Sequence, residues 1–181
     1  MNSEIYGQPA ADAWKEKVRP RLEKGICFAH NGRTAEGLDC VGLLIWAYRE
    51  CGFDIKEPEE TGRYPLNYWK NASPVLLLPA LQRYASKIEP ARMASGDILV
   101  FQSMSRPAHV GILDDTQFWH ILHPEGLQKE SLVRSAWTLR MRVVLRLRAV
   151  TKIPEPVQVT ASFESAMLAQ QNWGKHVGRG R

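Results

Sequence analysis

Three cysteines, Cys27, Cys40 and Cys51, and five histidines are the side chains in this 181-residue chain that could supply a nucleophile and a base. A thiol attacks only as its thiolate, and a free pKa of about 8.5 leaves little of that anion at neutral pH. A helix N-terminus stabilises the anion, because unpaired N–H groups and about half a positive charge gather there. Cys40 has that setting. Asp39 is a suitable cap, and the run CVGLLIWAYREC that follows is apolar almost to Arg49, with Gly52 as a stop. The Cys40 N–H would also aim at an oxyanion formed on attack. Cys27 falls in a loop or at a strand start, and Cys51 at a helix C-terminus where the dipole disfavours a thiolate. Both are expected as ordinary buried thiols. Taken alone, a cysteine in the position of Cys40 is more often a small buried apolar residue than a nucleophile.

The base has to be a histidine brought near by folding. His109 opens the apolar run HVGIL, after a strand-like SGDILVFQ and the loop SMSRPA. A histidine at a strand start can meet a helix N-terminus, although a single strand histidine is more often structural. A third polar group would orient the imidazole and fix its tautomer. His120 and His123 lie on the next strand, QFWHILH, and their three-residue separation turns them to opposite faces, so one of the two serves.

The elements that must position these groups follow in two blocks. Helices are expected over Ala11–Leu22, interrupted at Pro20, over Cys40–Cys51, and over Pro74–Ile88. Short strands then follow at Asp97–Phe101, His109–Leu113 and Gln117–His123. Leu139–Val150 alternates, with Met141, Val143, Leu145 and Leu147 on one face and Arg140, Arg142, Arg146 and Arg148 on the other. That arginine face reads as the wet side of an edge strand. Helices first and antiparallel strands after is the α+β order. Residues 1–150 read as one domain. Residues 151–181 read as an extension: a linker at KIPEPVQ, a short helix over Ala161–Gln171, and the basic end GKHVGRGR.

Composition narrows the rest. With 44% hydrophobic and 24% charged residues, the chain fits a globular domain with a core and excludes a disordered or fibrous one. The longest apolar runs, Val41–Ala47 and Val75–Leu81, fall well short of the roughly 20 residues of a membrane-spanning helix. Three cysteines without a C-x-x-C pair, and no histidine beside them at zinc-finger spacing, give neither a disulfide framework nor a metal site. No cofactor is implied. A formal charge of +5 favours anionic partners without choosing among them. The polar N-terminus MNSEIYGQPAADAWKEK has no apolar stretch of a secretory signal, so synthesis in the cytoplasm is the expectation.

Four blocks in order resemble the NlpC-type cell-wall cysteine peptidases, which cleave γ-D-glutamyl–diaminopimelate bonds in murein peptides. Gly37-Leu38-Asp39-Cys40-Val41-Gly42-Leu43 is similar to their G-[FL]-D-C-[SV]-G-L. Gly96-Asp97-Ile98, His109–Ile112 and Phe118-Trp119-His120 are similar to their G-D-[LI], H-V-G-I and [FI]-[IV]-H elements, over about residues 25 to 150. The resemblance implies a papain-like fold, Cys40 as nucleophile, His109 as base and His120 as third residue, with His123 the alternative. Asp39, Cys40 and Phe28 would form the surroundings of the oxyanion. Phe28 stands where many members carry a tyrosine, and His30, Asn31 and Gly32 replace the W-G-G that follows it. Substrate contacts are expected from His30 and Arg33 and from Arg63, Tyr64 and Trp69, the two arginines facing carboxylates of the murein peptide. The stretch Cys27–Arg33 is similar to the P-F-x-H-Q-G-R form of the subgroup encoded in phage and gene-transfer-agent tail modules. That resemblance implies peptidoglycan peptide as substrate, tail proteins as partners and a place on a virion tail.

Two other classes of function fit the same residues. One is a tail-tip assembly protein that keeps the peptidase fold, favoured by Phe28 and the C-terminal extension. The other is a papain-like amidase or transacylase on a non-murein substrate. The arginine face of Leu139–Val150 could contact nucleic acid, but no aromatic stacking pattern accompanies it, and nucleic acid is not expected as a partner.

Overall fold

Trp14, Val18 and Leu22 recur at helical spacing, and their burial fixes the first element of the computed structural model, which describes residues 13–53, 55, 77–103, 106–133 and 135–148. This element, α1, is a π-helical turn (Trp14–Val18) that runs into an α-helical one (Arg19–Leu22). Pro20 sits just after the change from the π-helical to the α-helical part. Ala11, where the helix is expected to begin, lies outside the described residues.

A two-stranded hairpin follows, β1 (Arg33–Thr34) against β2 (Gly37–Leu38). It leads into α2 (Cys40–Glu50), whose first nine residues, Cys40 to Tyr48, are all buried. A helix apolar on every side has to be enclosed on every side, and the unbroken run is the sequence form of that requirement. Gly52 at φ 92° ends it. The later helix ends earlier than expected: among the described residues it covers Leu77–Gln82 (α3), and the chain then enters a strand, β3 (Ala85–Ile88). The expected start at Pro74 lies outside the described residues. The helix expected to run on to Ile88 is corrected here: Ala85–Ile88 pairs with a strand from the far end of the domain, and the tertiary pairing overrides the local pattern.

The remaining strands are β4 (Ile98–Ser103), β5 (Arg106–Asp114), β6 (Gln117–Leu122), β7 (Gly126–Ser131) and β8 (Met141–Leu147), with a short helix α4 (Trp137–Arg140) ahead of β8. Among the described residues they form one antiparallel sheet in the order β3-β8-β4-β5-β6-β7. Helices ahead of an antiparallel sheet give the expected α+β class. α2 packs on β5 and β6, and its core includes Leu43, Ile45, Val110, Ile112, Trp119 and Leu145. The opposite face buries Leu99, Phe101, Leu113, Phe118 and Val144, with Trp137 against them.

β8 is interior to the sheet, flanked by β3 and β4, so the edge-strand reading of Leu139–Val150 is corrected. Two arginines, Arg146 in the strand and Arg148 just after it, are structural. Arg146 grips buried Asp97 with two nitrogens at 2.7 and 2.8 Å, and Arg148 donates to the carbonyls of Gln82 and Arg83. A second buried carboxylate, Asp114, accepts from the indoles of Trp14 and Trp119, each at 3.0 Å, and from Arg19. It ties α1 to the sheet. All described residues belong to the first of two units into which the chain divides, Met1–Thr151 and Lys152–Arg181. The features expected beyond Thr151 lie outside the described residues.

Candidate active site

The start of α2 is built by Asp39. Its backbone is extended (φ −107°, ψ −176°), and its carboxylate caps the helix by accepting the Gly42 N–H at 2.8 Å. The other oxygen accepts the Asn31 N–H at 2.7 Å, and Arg33 Nη1 donates to the first at 3.1 Å. The loop that precedes the hairpin is thereby fastened to the helix start. Gly42 is required by close approach: a Cβ there would lie 1.9 Å from the Gly32 carbonyl oxygen. One at Gly32 would lie 2.1 Å from the oxygen of Gly37. The glycines of the G-L-D-C-V-G block therefore seat one piece of backbone on another.

Asp39, accepting from two N–H groups and a guanidinium, forms the helix end that carries Cys40. Arg33 turns inward onto Asp39 and the Gly32 carbonyl, the latter at 2.8 Å. The cysteines sort differently from expectation. Cys40 is buried with 6% exposure, Cys51 is half-buried, and Cys27, expected to be buried, is exposed. Burial pushes the Cys51 thiol up to about 11, with Lys17 opposing and Glu50 adding to the rise.

The sheet supplies an imidazole pair. His109 Nε2 and His120 Nδ1 are 2.9 Å apart, joined across β5 and β6. Trp137 lies with its ring centroid 5.0 Å from each imidazole, and Phe101 and Phe118 complete the surround. Gly111 makes room for this packing, since a Cβ there would meet the Trp119 oxygen at 2.9 Å and the Phe118 ring at 3.1 Å. Burial among aromatic rings disfavours the charged form of both histidines. It pushes His109 down to about 3, with His120 adding to the fall. It pushes His120 down to about 4, against an opposing pull from Glu130. Both imidazoles are neutral at neutral pH, and one donates to the other.

Of the two candidates for the third position, His120 is the one against His109. His123 follows the end of β6, is exposed, and stands edge-on to Phe28 at 4.8 Å. Phe28 itself bridges Leu38, two residues before Cys40. His30 Nε2 is 3.1 Å from Asn31 Nδ2 in the loop over the helix start. Arg63, Tyr64 and Trp69 lie outside the described residues. Sequence reasoning missed Trp137, Glu130 and strand β7, whose stretch GLQKES carries no β-branched residue to announce it. A lone aromatic ring in the stretch VRSAWTLR was the available signal for Trp137.

The NlpC/P60 family model matches residues 25–146, a span that contains the helix start and both histidines. Among curated proteins, the chain is 24% identical over 125 residues to the murein DD-endopeptidase MepS/murein LD-carboxypeptidase of Escherichia coli K12, covering 68% of this chain and 57% of that protein. It is 27% identical over 116 residues to the probable endopeptidase NlpC of the same strain, covering 62% of this chain and 64% of that one. The chain thus spans little more than half the length of the first of these relatives. Among solved structures, an NlpC/P60 family protein from Bacillus cereus superposes with a TM-score of 0.51 at 16% identity, covering 78% of this chain and 41% of the other. NlpC2 from Trichomonas vaginalis gives 0.51 at 17%, covering 84% and 51%. These likenesses speak for the fold.

Proposed function

The chain belongs to the NlpC/P60 family, and from that footing we propose that it is a cysteine-type peptidase that hydrolyses amide bonds in the stem peptides of peptidoglycan. The observations that carry the reading are the His109–His120 pair, 2.9 Å apart, and the capped helix start that bears Cys40, both within the span matched by the family model. The relative named as a murein DD-endopeptidase supports the substrate class, and the one named as a probable endopeptidase supports the reaction type.

Cys40 is the nucleophile and His109 the base. Because His109 Nε2 is committed to His120, Nδ1 is the nitrogen that takes the thiol proton. A neutral imidazole can accept that proton throughout the neutral range. The thiolate forms at a capped helix N-terminus, whose dipole favours the anion. It adds to the amide carbonyl, and the Cys40 N–H stabilises the oxyanion. His109 then returns the proton to the leaving amine, and water releases the acyl group from sulfur. His120 holds the His109 ring. Phe28 carries no hydroxyl, so the oxyanion receives no help from that side chain. Substrate selection is assigned to His30, in the loop over the helix start, and to Arg63, Tyr64 and Trp69. The likeness of Cys27–Arg33 to the tail-module subgroup supports a setting on a phage-type tail.

The test is digestion of defined muropeptides with amide cleavage followed by mass spectrometry. Hydrolysis by the wild-type chain and its loss in Cys40→Ala, with an unchanged circular dichroism spectrum, is expected. Muropeptides left intact by the wild type, or cut equally by Cys40→Ala, would end the reading.

A further inference from the structure

The imidazole pair continues one step further than the reaction requires. His120 is fully buried, and its Nε2 makes no hydrogen bond among the described residues. A buried ring nitrogen of that kind is costly, and its surroundings should say what it faces. Directly across from His120 on β7 is Gln128, whose amide is turned away to donate to the Glu125 carbonyl at 3.3 Å. The next residue on the same face of β7 is Glu130, opposite Phe118. Its Oε1 stands 3.5 Å from His120 Nε2, and a third of its side chain is exposed. The other groups around the ring are His109 from β5, Phe118 from its own strand and Trp137 from α4. Glu130 is therefore the anion that faces His120.

A neutral imidazole has one N–H and one lone pair, and the partner of one nitrogen fixes the other. An acceptor-only carboxylate at Nε2 selects the tautomer with its proton there. Nδ1 is then an acceptor, so the 2.9 Å bond to His109 has to be donated by His109 Nε2. That in turn leaves His109 Nδ1 with a lone pair, the form a base needs. The opposite tautomer of His120 would put the His109 proton on Nδ1 and remove the base.

We propose that Glu130 is a positioning residue: acting through His120, it sets the tautomers of both histidines so that His109 presents a proton-accepting Nδ1. The catalytic part of this inference rests on the hydrolase reading above; the tautomer part does not. The experiment is therefore run in two arms on the full chain, wild type and Glu130→Gln. In the first, long-range nitrogen–proton NMR of histidine-labelled protein reads which ring nitrogen of His120 and His109 carries hydrogen. Wild type should show Nε2–H on both, and Glu130→Gln, isosteric but uncharged, should give a mixture at His120. In the second, muropeptide hydrolysis should lose about tenfold in kcat with KM unchanged, since a general base misprotonated part of the time is a weaker one. A proton on His120 Nδ1 in the wild type, or tautomers unmoved by Glu130→Gln, overturns the proposal. If neither form cleaves muropeptide, the hydrolase reading falls, and the NMR arm still decides what Glu130 does to His120.

Discussion

The pairing of His109 with His120 is the residue-scale fact from which most follows. If His120 acts by holding the ring of the base, His120→Ala should lower kcat for muropeptide hydrolysis by about 10² while changing KM little. A KM effect alone would place His120 with the substrate instead. The same two histidines give a pH signature. In the unfolded chain they titrate at about 6.5, whereas burial holds them near 3 and 4 when folded. Between those values the unfolded chain binds more protons, so stability is full above about pH 6.5 and declines as pH falls toward 4. Urea midpoints measured from pH 7.5 to 4.5 should therefore drop in the wild type and drop less in His109→Asn; equal slopes would contradict the assigned burial. The sequence already held much of this scale. A polar residue ahead of an apolar run announced the Asp39 cap, and strand spacing announced two histidines of which one could meet His109. It did not hold the inward turn of Arg33 or the exposure of Cys27, because side-chain direction in a two-residue strand or a loop depends on contacts that no local pattern records. Glu130 was hidden for a different reason. Its role exists only through register with a neighbouring strand.

At the scale of elements, glycine and carboxylate positions decide how the site is held. Gly42→Ala should destabilise the domain by about 1–3 kcal/mol, since the added carbon would drive into the backbone oxygen of Gly32 at 1.9 Å and no flexible side chain is there to yield. A thermal melt unchanged by this substitution would show that the loop over the helix start is not seated as described. Asp114→Ala removes the shared acceptor of two buried indoles and Arg19. Burial opposes ionisation of this carboxyl, yet the bonds from Trp14, Trp119 and Arg19 hold it below its usual range. The loss should be about 2–4 kcal/mol, with α1 released from the sheet and faster amide exchange at Val18 and Leu22. Protection unchanged at those amides would contradict the anchoring role. The apolar run of α2 and the short apolar runs of β4, β5 and β6 were legible because each encodes a segment to be buried on both sides. β3, β7 and the β1-β2 hairpin were not, being short segments whose strand character comes from the partner they pair with.

At the scale of the molecule, a sheet covered on both faces brings a helix start and a pair of strands from distant parts of the chain into one domain, within the span matched by the NlpC/P60 family model. The α+β class followed from element order alone. The position of β8 inside the sheet did not, since topology depends on which strands meet rather than on which form. The account depends above all on a working couple between the Cys40 sulfur and the His109 imidazole. Cys27 is exposed and would react first with any thiol reagent, so the couple has to be read in a Cys27→Ser, Cys51→Ser background. The measurement is the alkylation rate of Cys40 by iodoacetamide at pH 7, followed by mass spectrometry with and without His109→Ala. The account predicts single-site labelling that abolishes muropeptide hydrolysis and slows by about tenfold or more without the imidazole. A rate indifferent to His109 would contradict it.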